Sequence, residues 1–214
     1  MKKNYNFYTL FSKVMMQYPT NMAIESENGM AATYGELAQK VSIYAAKLLS
    51  YDLNSGDRVL VQVSKSPEAL VLYLACLQIG VVYIPLNTAY SSDEVLYFIE
   101  DSEPKIFVGD TCSQEILQVL ATKIDESRLV LIDDFKSGKR KTSSNCKIAL
   151  KNTTDVAVLI YTSGTTGRSK GAMLTHGNLT DNALALVKLW GFSVNDVVLH
   201  SLPIFHIHGL FVAL

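Results

Sequence analysis

Pro67-Glu68-Ala69-Leu70-Val71-Leu72-Tyr73-Leu74-Ala75-Cys76-Leu77-Gln78-Ile79-Gly80-Val81-Val82-Tyr83-Ile84-Pro85-Leu86 is the stretch whose reading decides the fold. From Ala69 onward it is almost wholly apolar, but a membrane-spanning helix needs about 20 such residues in one unbroken segment. Gly80 and Pro85 interrupt this run, and the Gln78 amide is costly in hydrocarbon. The run divides instead into a helix over about Pro67 to Ile79, a stop at Gly80 and a buried strand Val81-Val82-Tyr83-Ile84. A helix leading through one glycine into an all-apolar strand is the second half of a βαβ unit. No membrane span is expected.

The same alternation extends in both directions. Upstream, Tyr8 to Tyr18 has helical spacing, Met22-Ala23-Ile24 reads as a short strand, and Arg58 to Val63 as a longer one. Thr33 with Glu36 forms a capping box that opens a helix to about Leu49. Downstream, Ser91 or Ser92 caps a helix to about Glu100, and Lys105 to Gly109 is a strand. A helix Ser113 to Ala121 and a strand Arg128 to Ile132 follow. Helices alternating with strands predict an α/β fold, layered βαβ units around a mainly parallel sheet. From Phe135 to Asp155 the chain turns polar and rich in lysine. A subdomain boundary is expected there, separating residues 1–154 from 155–214. Beyond it, Asn178 to Leu189 reads as a helix, Val197 to Leu199 as a strand and Gly209 onward as an apolar helix.

Composition narrows the function. Among 214 residues 49 % are apolar and the formal net charge is −1, so nothing electrostatic calls for nucleic acid or an anionic membrane. The basic cluster Lys136 to Lys141 reads as a solvated loop. Three scattered cysteines, Cys76, Cys112 and Cys146, make a disulfide framework implausible and point to a reducing, cytoplasmic setting. Met1-Lys2-Lys3 carries positive charge without an apolar stretch behind it, unlike a signal peptide.

Chemistry is concentrated in Tyr161-Thr162-Ser163-Gly164-Thr165-Thr166-Gly167-Arg168-Ser169-Lys170-Gly171, directly behind the apolar run Val156-Ala157-Val158-Leu159-Ile160. Glycines let backbone N–H groups converge on a ligand. The hydroxyls of Thr162, Ser163, Thr165 and Thr166 add short donors, and Lys170 adds a mobile charge. Such a tract grips polyphosphate. It is not the common P-loop: counting from Gly164, Ser169 stands where the second glycine belongs, and Gly171 follows the lysine.

This tract resembles the phosphate-binding signature of the adenylate-forming superfamily, Thr-Ser-Gly-Ser/Thr-Thr-Gly-x-Pro-Lys-Gly. It matches at Thr162, Ser163, Gly164, Thr165, Thr166, Gly167, Lys170 and Gly171, and departs at Ser169, where the pattern has proline. Serine leaves φ unrestrained there. Arg168-Ser169-Lys170-Gly171 and Leu202-Pro203-Ile204-Phe205-His206-Ile207-His208-Gly209-Leu210 resemble the malonyl-CoA synthetase branch in particular. Thr33-Tyr34-Gly35-Glu36-Leu37, Gly56-Asp57-Arg58-Val59 and Gly80 to Asn87 stand in the family's order, so the resemblance spans nearly the whole chain.

The resemblance implies the first part of an adenylate-forming enzyme's large domain. It implies an ATP-dependent acid–CoA ligase that uses Mg²⁺ and coenzyme A, with malonate or a related small carboxylic acid as substrate. Thr162, Ser163, Gly164, Thr165, Thr166, Gly167 and Lys170 would then bind ATP, Thr166 would contact the metal, and His206 would act as the catalytic-site residue beside the carboxylate. His206 and His208 also have the spacing of a metal pair on a strand, but no third ligand lies nearby and zinc is not expected. The last residues, Phe211-Val212-Ala213-Leu214, carry no cap or polar turn, which predicts that a C-terminal portion of the same enzyme completes the site and that the present residues alone are inactive. Two other readings stand beside this one: a non-catalytic binding module, forming a homodimer through its uncovered apolar face, and part of an amino-acid adenylation domain.

Overall fold

The computed structural model describes residues 3–27, 29, 31–136, 146–162 and 169–212. Helix α1 (Tyr8–Gln17) leads into a two-stranded antiparallel ribbon, β1 (Met22–Glu25) and β2 (Ala31–Thr33), followed by α2 (Tyr34–Leu49). Then come β3 (Arg58–Gln62), α3 (Pro67–Ile79), β4 (Val82–Pro85), α4 (Ser92–Ser102) and β5 (Ile106–Gly109). The series closes with α5 (Gln114–Ala121), β6 (Leu129–Leu131), β7 (Val156–Thr162), β8 (Lys170–Thr175) and α6 (His176–Trp190).

Six strands form one sheet in the order β6-β5-β3-β4-β7-β8. All neighbours are parallel except β7 and β8, which run antiparallel. The order reverses at β3, since β4 lies on one side of it and β5 on the other, so helices cover both faces. Alternation along the strands builds two cores. Val59, Val61, Tyr83 and Val108 point to α1, α2 and α3, whereas Leu60, Ile84 and Phe107 meet Val95, Phe98 and Ile99 of α4 and Leu120 of α5. The expected α/β fold with a mainly parallel sheet is what the chain forms. The boundary expected at 154/155 falls just before β7, and the sheet continues across it.

The deciding stretch behaves as its residues dictate. α3 is apolar all round because it is buried all round, from Ala69 through Ile79 with Leu70 partly covered. Among the described residues no helix is long and apolar enough to cross a membrane. Cys76 is fully buried within α3, and burial pushes its thiol pKa up. Gly80 ends the helix at φ 77°, in the left-handed region. A Cβ there would meet Ser55 Oγ at 2.8 Å, Ala149 Cβ at 2.9 Å and the Lys151 stem. Gly80→Ala is therefore expected to destabilise the fold by about 2 kcal/mol, read as a drop in the thermal midpoint. An unchanged midpoint would show that the turn relaxes freely.

Capping boxes open α2, α4 and α6. Thr33 and Ser91 each accept from the backbone of a glutamate three residues on, Glu36 and Glu94, whose carboxylates answer the cap N–H. The third pairs Thr175 with Asn178, so α6 begins two residues earlier than its apolar spacing suggested. Val197 to Leu199 was expected as a strand and is not one. Val197 and Leu199 are almost fully exposed. A strand requires a neighbour to complete its ladder, and none of the described residues pairs with this segment. The apolar helix expected from Gly209 is a short π-helical turn, His208–Val212. Of the basic cluster, residues 137–141 lie outside the described residues, while Lys136 at its start pairs with Asp133 at 2.7 Å.

Candidate nucleotide site

β7 runs parallel to β4, so its end at Thr162 lies on the same edge of the sheet as the carboxyl ends of β3 and β4. Open α/β sheets bind their ligands beyond that edge. Thr162 is the first exposed residue of a strand otherwise buried or half-buried. The segment that follows returns as β8, with Lys170 paired to Thr162 and the Thr162 hydroxyl donating to the Lys170 carbonyl at 3.5 Å. The hydroxyl-and-glycine tract thus joins two antiparallel strands rather than a strand and a helix, and α6 starts only at His176. Among the described residues, the first helix after the tract is α6, beyond β8.

The sequence-derived nucleotide residues divide in two. Thr162 and Lys170 stand together and exposed at the mouth of the tract. Ser163, Gly164, Thr165, Thr166 and Gly167 lie outside the described residues, Thr166 as the expected metal contact among them. The Lys170 ammonium makes no ion pair among the described residues. From Tyr161 to Gly171 the chain contains no carboxylate. That donor set fits a polyphosphate and would repel no part of it.

Helix α4 holds both stems of the tract. Tyr161, one residue before Thr162, donates its phenol to Asp101 Oδ2 at 2.6 Å and packs its ring on Phe98 at 4.4 Å. Burial, then the Asp101 carboxylate, push the Tyr161 pKa up, so the phenol stays a donor. On the other stem, Tyr97 donates to the carbonyl of Ser169 at 2.8 Å. Sequence reasoning passed over Tyr97 and Asp101. An aromatic and a carboxylate one turn apart on an amphipathic helix give no signal of a partner elsewhere.

His206 occupies a different part of the same sheet edge. Ile204 and Leu210 are buried and anchor its segment, and Ile204 and Phe205 close a small apolar crevice against Val61, Val63, Tyr83 and Pro85. His206 itself is exposed and stacks on His208, with ring centroids 5.4 Å apart and planes at 16°. Lys65, just after β3, donates to the His200 carbonyl, and His200 Nε2 lies 2.7 Å from the Gly209 carbonyl. This segment is therefore tied back to the carboxyl ends of the strands. Val61 of β3 with Tyr83 and Pro85 of β4 line this crevice, and His206, two residues past Ile204, is exposed.

The chain belongs to the family of AMP-binding enzymes, whose family model matches residues 11–214. Its relatives include CoA ligases. It is 34 % identical over 196 residues to a 2-succinylbenzoate–CoA ligase of Bacillus velezensis, covering 90 % of this chain and 38 % of that protein. It is 32 % identical over 155 residues to the mitochondrial malonate–CoA ligase of Bos taurus, covering 72 % of this chain and 26 % of the relative. Among solved structures, ATP-bound MatB from Rhodopseudomonas palustris superposes with a TM-score of 0.87 at 40 % identity, over 99 % of this chain and 42 % of MatB. The chain thus spans less than half the length of these relatives.

Proposed function

We propose that the intact protein is an ATP-dependent acid–CoA ligase, and that malonate or a closely related small carboxylic acid is its substrate. The observation that carries this reading is the Thr162-to-Gly171 sequence, whose described ends Thr162 and Lys170 lie at the carboxyl end of β7, in a chain 40 % identical to ATP-bound MatB. The likeness to a malonate–CoA ligase supports the choice of acid.

The chemistry sets the task of each residue. A carboxylate oxygen attacks the α-phosphate, the bond to the β-phosphate breaks, pyrophosphate leaves, and the thiol of coenzyme A later displaces AMP from the acyl group. Two anions must approach each other, so positioning and charge neutralisation dominate the barrier. On this reading the hydroxyls and amides of Thr162, Ser163, Gly164, Thr165, Thr166 and Gly167 hold the β- and γ-phosphates and then the departing pyrophosphate. Lys170 neutralises charge at the tract's mouth. The Thr166 hydroxyl would join phosphate oxygens in holding Mg²⁺, which supplies further charge neutralisation. His206 would border the carboxylate, with the crevice of Val61, Val63, Tyr83 and Ile204 forming the apolar floor.

Pyrophosphate release by the intact protein, measured across a panel of acids with ATP and coenzyme A, tests the proposal. Malonate is expected to give the highest kcat/KM. Turnover with a long-chain or aromatic acid but not malonate would leave the ligase and overturn the substrate. No release with any acid would sink the enzyme reading itself.

A further inference from the structure

We propose that Tyr97 and Asp101 of α4 are positioning residues, a two-point clamp that fixes the stems of the phosphate tract and thereby sets the affinity for ATP. The inference rests on the ligase reading above and adds two residues to it. They lie one helical turn apart, on one face of a helix capped at Ser91 and packed into the core through Val95, Phe98 and Ile99. Asp101 takes the Tyr161 hydroxyl at the entering stem, and Tyr97 gives its hydroxyl to the Ser169 carbonyl at the leaving stem. These partners are 60 and 72 residues away in sequence, so no local turn preference creates the arrangement.

The leaving stem needs such a tether more than the entering one. Tyr161 is buried and belongs to a strand flanked on both sides, whereas β8 is the edge strand and is exposed from Lys170 to Met173. The ladder ends at the Thr162–Lys170 pair, and Ser169 lies beyond it. Serine at this position leaves φ free where the resembled pattern carries proline, and the Tyr97 hydrogen bond holds the Ser169 carbonyl, and so the peptide after it, from outside the loop. With both stems held, Thr162 and Lys170 are fixed in place before phosphate arrives, and positioning done in advance appears as affinity.

The test is ATP titration by calorimetry together with steady-state kinetics on the intact protein. Tyr97→Phe deletes one hydroxyl and keeps the ring against Phe98 and Tyr161. It is expected to raise the Kd and KM for ATP roughly five- to tenfold, with the KM for the acid and the thermal midpoint unchanged. Asp101→Ala is expected to act in the same direction, while Asp101→Asn, which keeps an acceptor for Tyr161, restores near-native affinity. An unaltered ATP Kd in Tyr97→Phe, or an equal rise in the KM of ATP and acid, overturns the clamp. If the unmodified protein binds no ATP, both the clamp and the ligase reading fall; if it binds and turns over ATP while Tyr97→Phe matches it, the clamp alone falls.

Discussion

Lys170→Ala is expected to lower kcat/KM for ATP in the intact protein by roughly 10- to 150-fold, the equivalent of one charge-assisted hydrogen bond to phosphate. The same substitution leaves folding almost untouched. Lys170 is exposed, its ammonium makes no ion pair among the described residues, and its ladder pairing to Thr162 uses backbone atoms only. The thermal midpoint should shift by no more than about 2 °C, as for other exposed positions. Lys170→Arg should recover part of the loss, because the charge returns in a different shape. Activity unchanged in Lys170→Ala would remove the lysine from the nucleotide site and weaken the assignment of the whole tract.

The second large effect concerns stability in acid. His176 opens α6 with no exposed surface; its Nδ1 accepts the Phe7 backbone N–H at 3.1 Å, and its Nε2 has no hydrogen-bond partner among the described residues. Burial, reinforced by the neighbouring Lys151 ammonium and partly opposed by Asp155, pulls its pKa down to about 4. The unfolded chain takes up this proton near the ordinary value of about 6.5. Between those two values the unfolded state binds more protons than the folded one. The contribution is therefore complete above about pH 6.5 and is lost as pH falls towards 4, amounting to roughly 3 kcal/mol. Thermal midpoints should fall through that window more steeply in the unmodified protein than in His176→Gln, which keeps an acceptor for Phe7 and cannot titrate. Parallel pH profiles for the two proteins would rule out this histidine as the source.

His176 belongs to a buried polar seam that no sequence pattern announced. Asn6, fully buried, donates to the carbonyls of Leu77 and Ala149 and accepts the Tyr8 N–H. Asn4 accepts the Lys151 N–H. The amino-terminal segment is thereby stitched to the polypeptide just before β7, the strand that ends at Thr162. Asparagines at positions 4 and 6 look like surface residues in a sequence. Asn6 is interior and Asn4 half-buried because backbone groups of Leu77, Ala149 and Lys151 need partners where water is largely excluded.

Fold and site were legible to different depths. The α3–Gly80–β4 unit could be read to within a residue or two, because burial on all sides forces continuous apolarity and the left-handed stop forces glycine. The boxes at Thr33 and Ser91 were equally plain, since a cap and its glutamate sit three residues apart whatever the rest of the chain does. The strand expected at Val197 to Leu199 failed for the opposite reason: apolar β-branched residues state a preference, and a ladder partner has to grant it.

What the amino-acid order determined by itself is the chemistry of the tract and the local starts and stops of the helices around it. Those depend on side-chain type, glycine dihedrals and contacts within one turn. Tertiary structure alone decided that the tract joins antiparallel strands, that α4 reaches both of its stems, and that His176 lies in a dry seam against Phe7. Each of these is a pairing between distant segments, fixed by which backbone groups and apolar faces must be covered once the sheet has formed, and no short window of sequence contains that information.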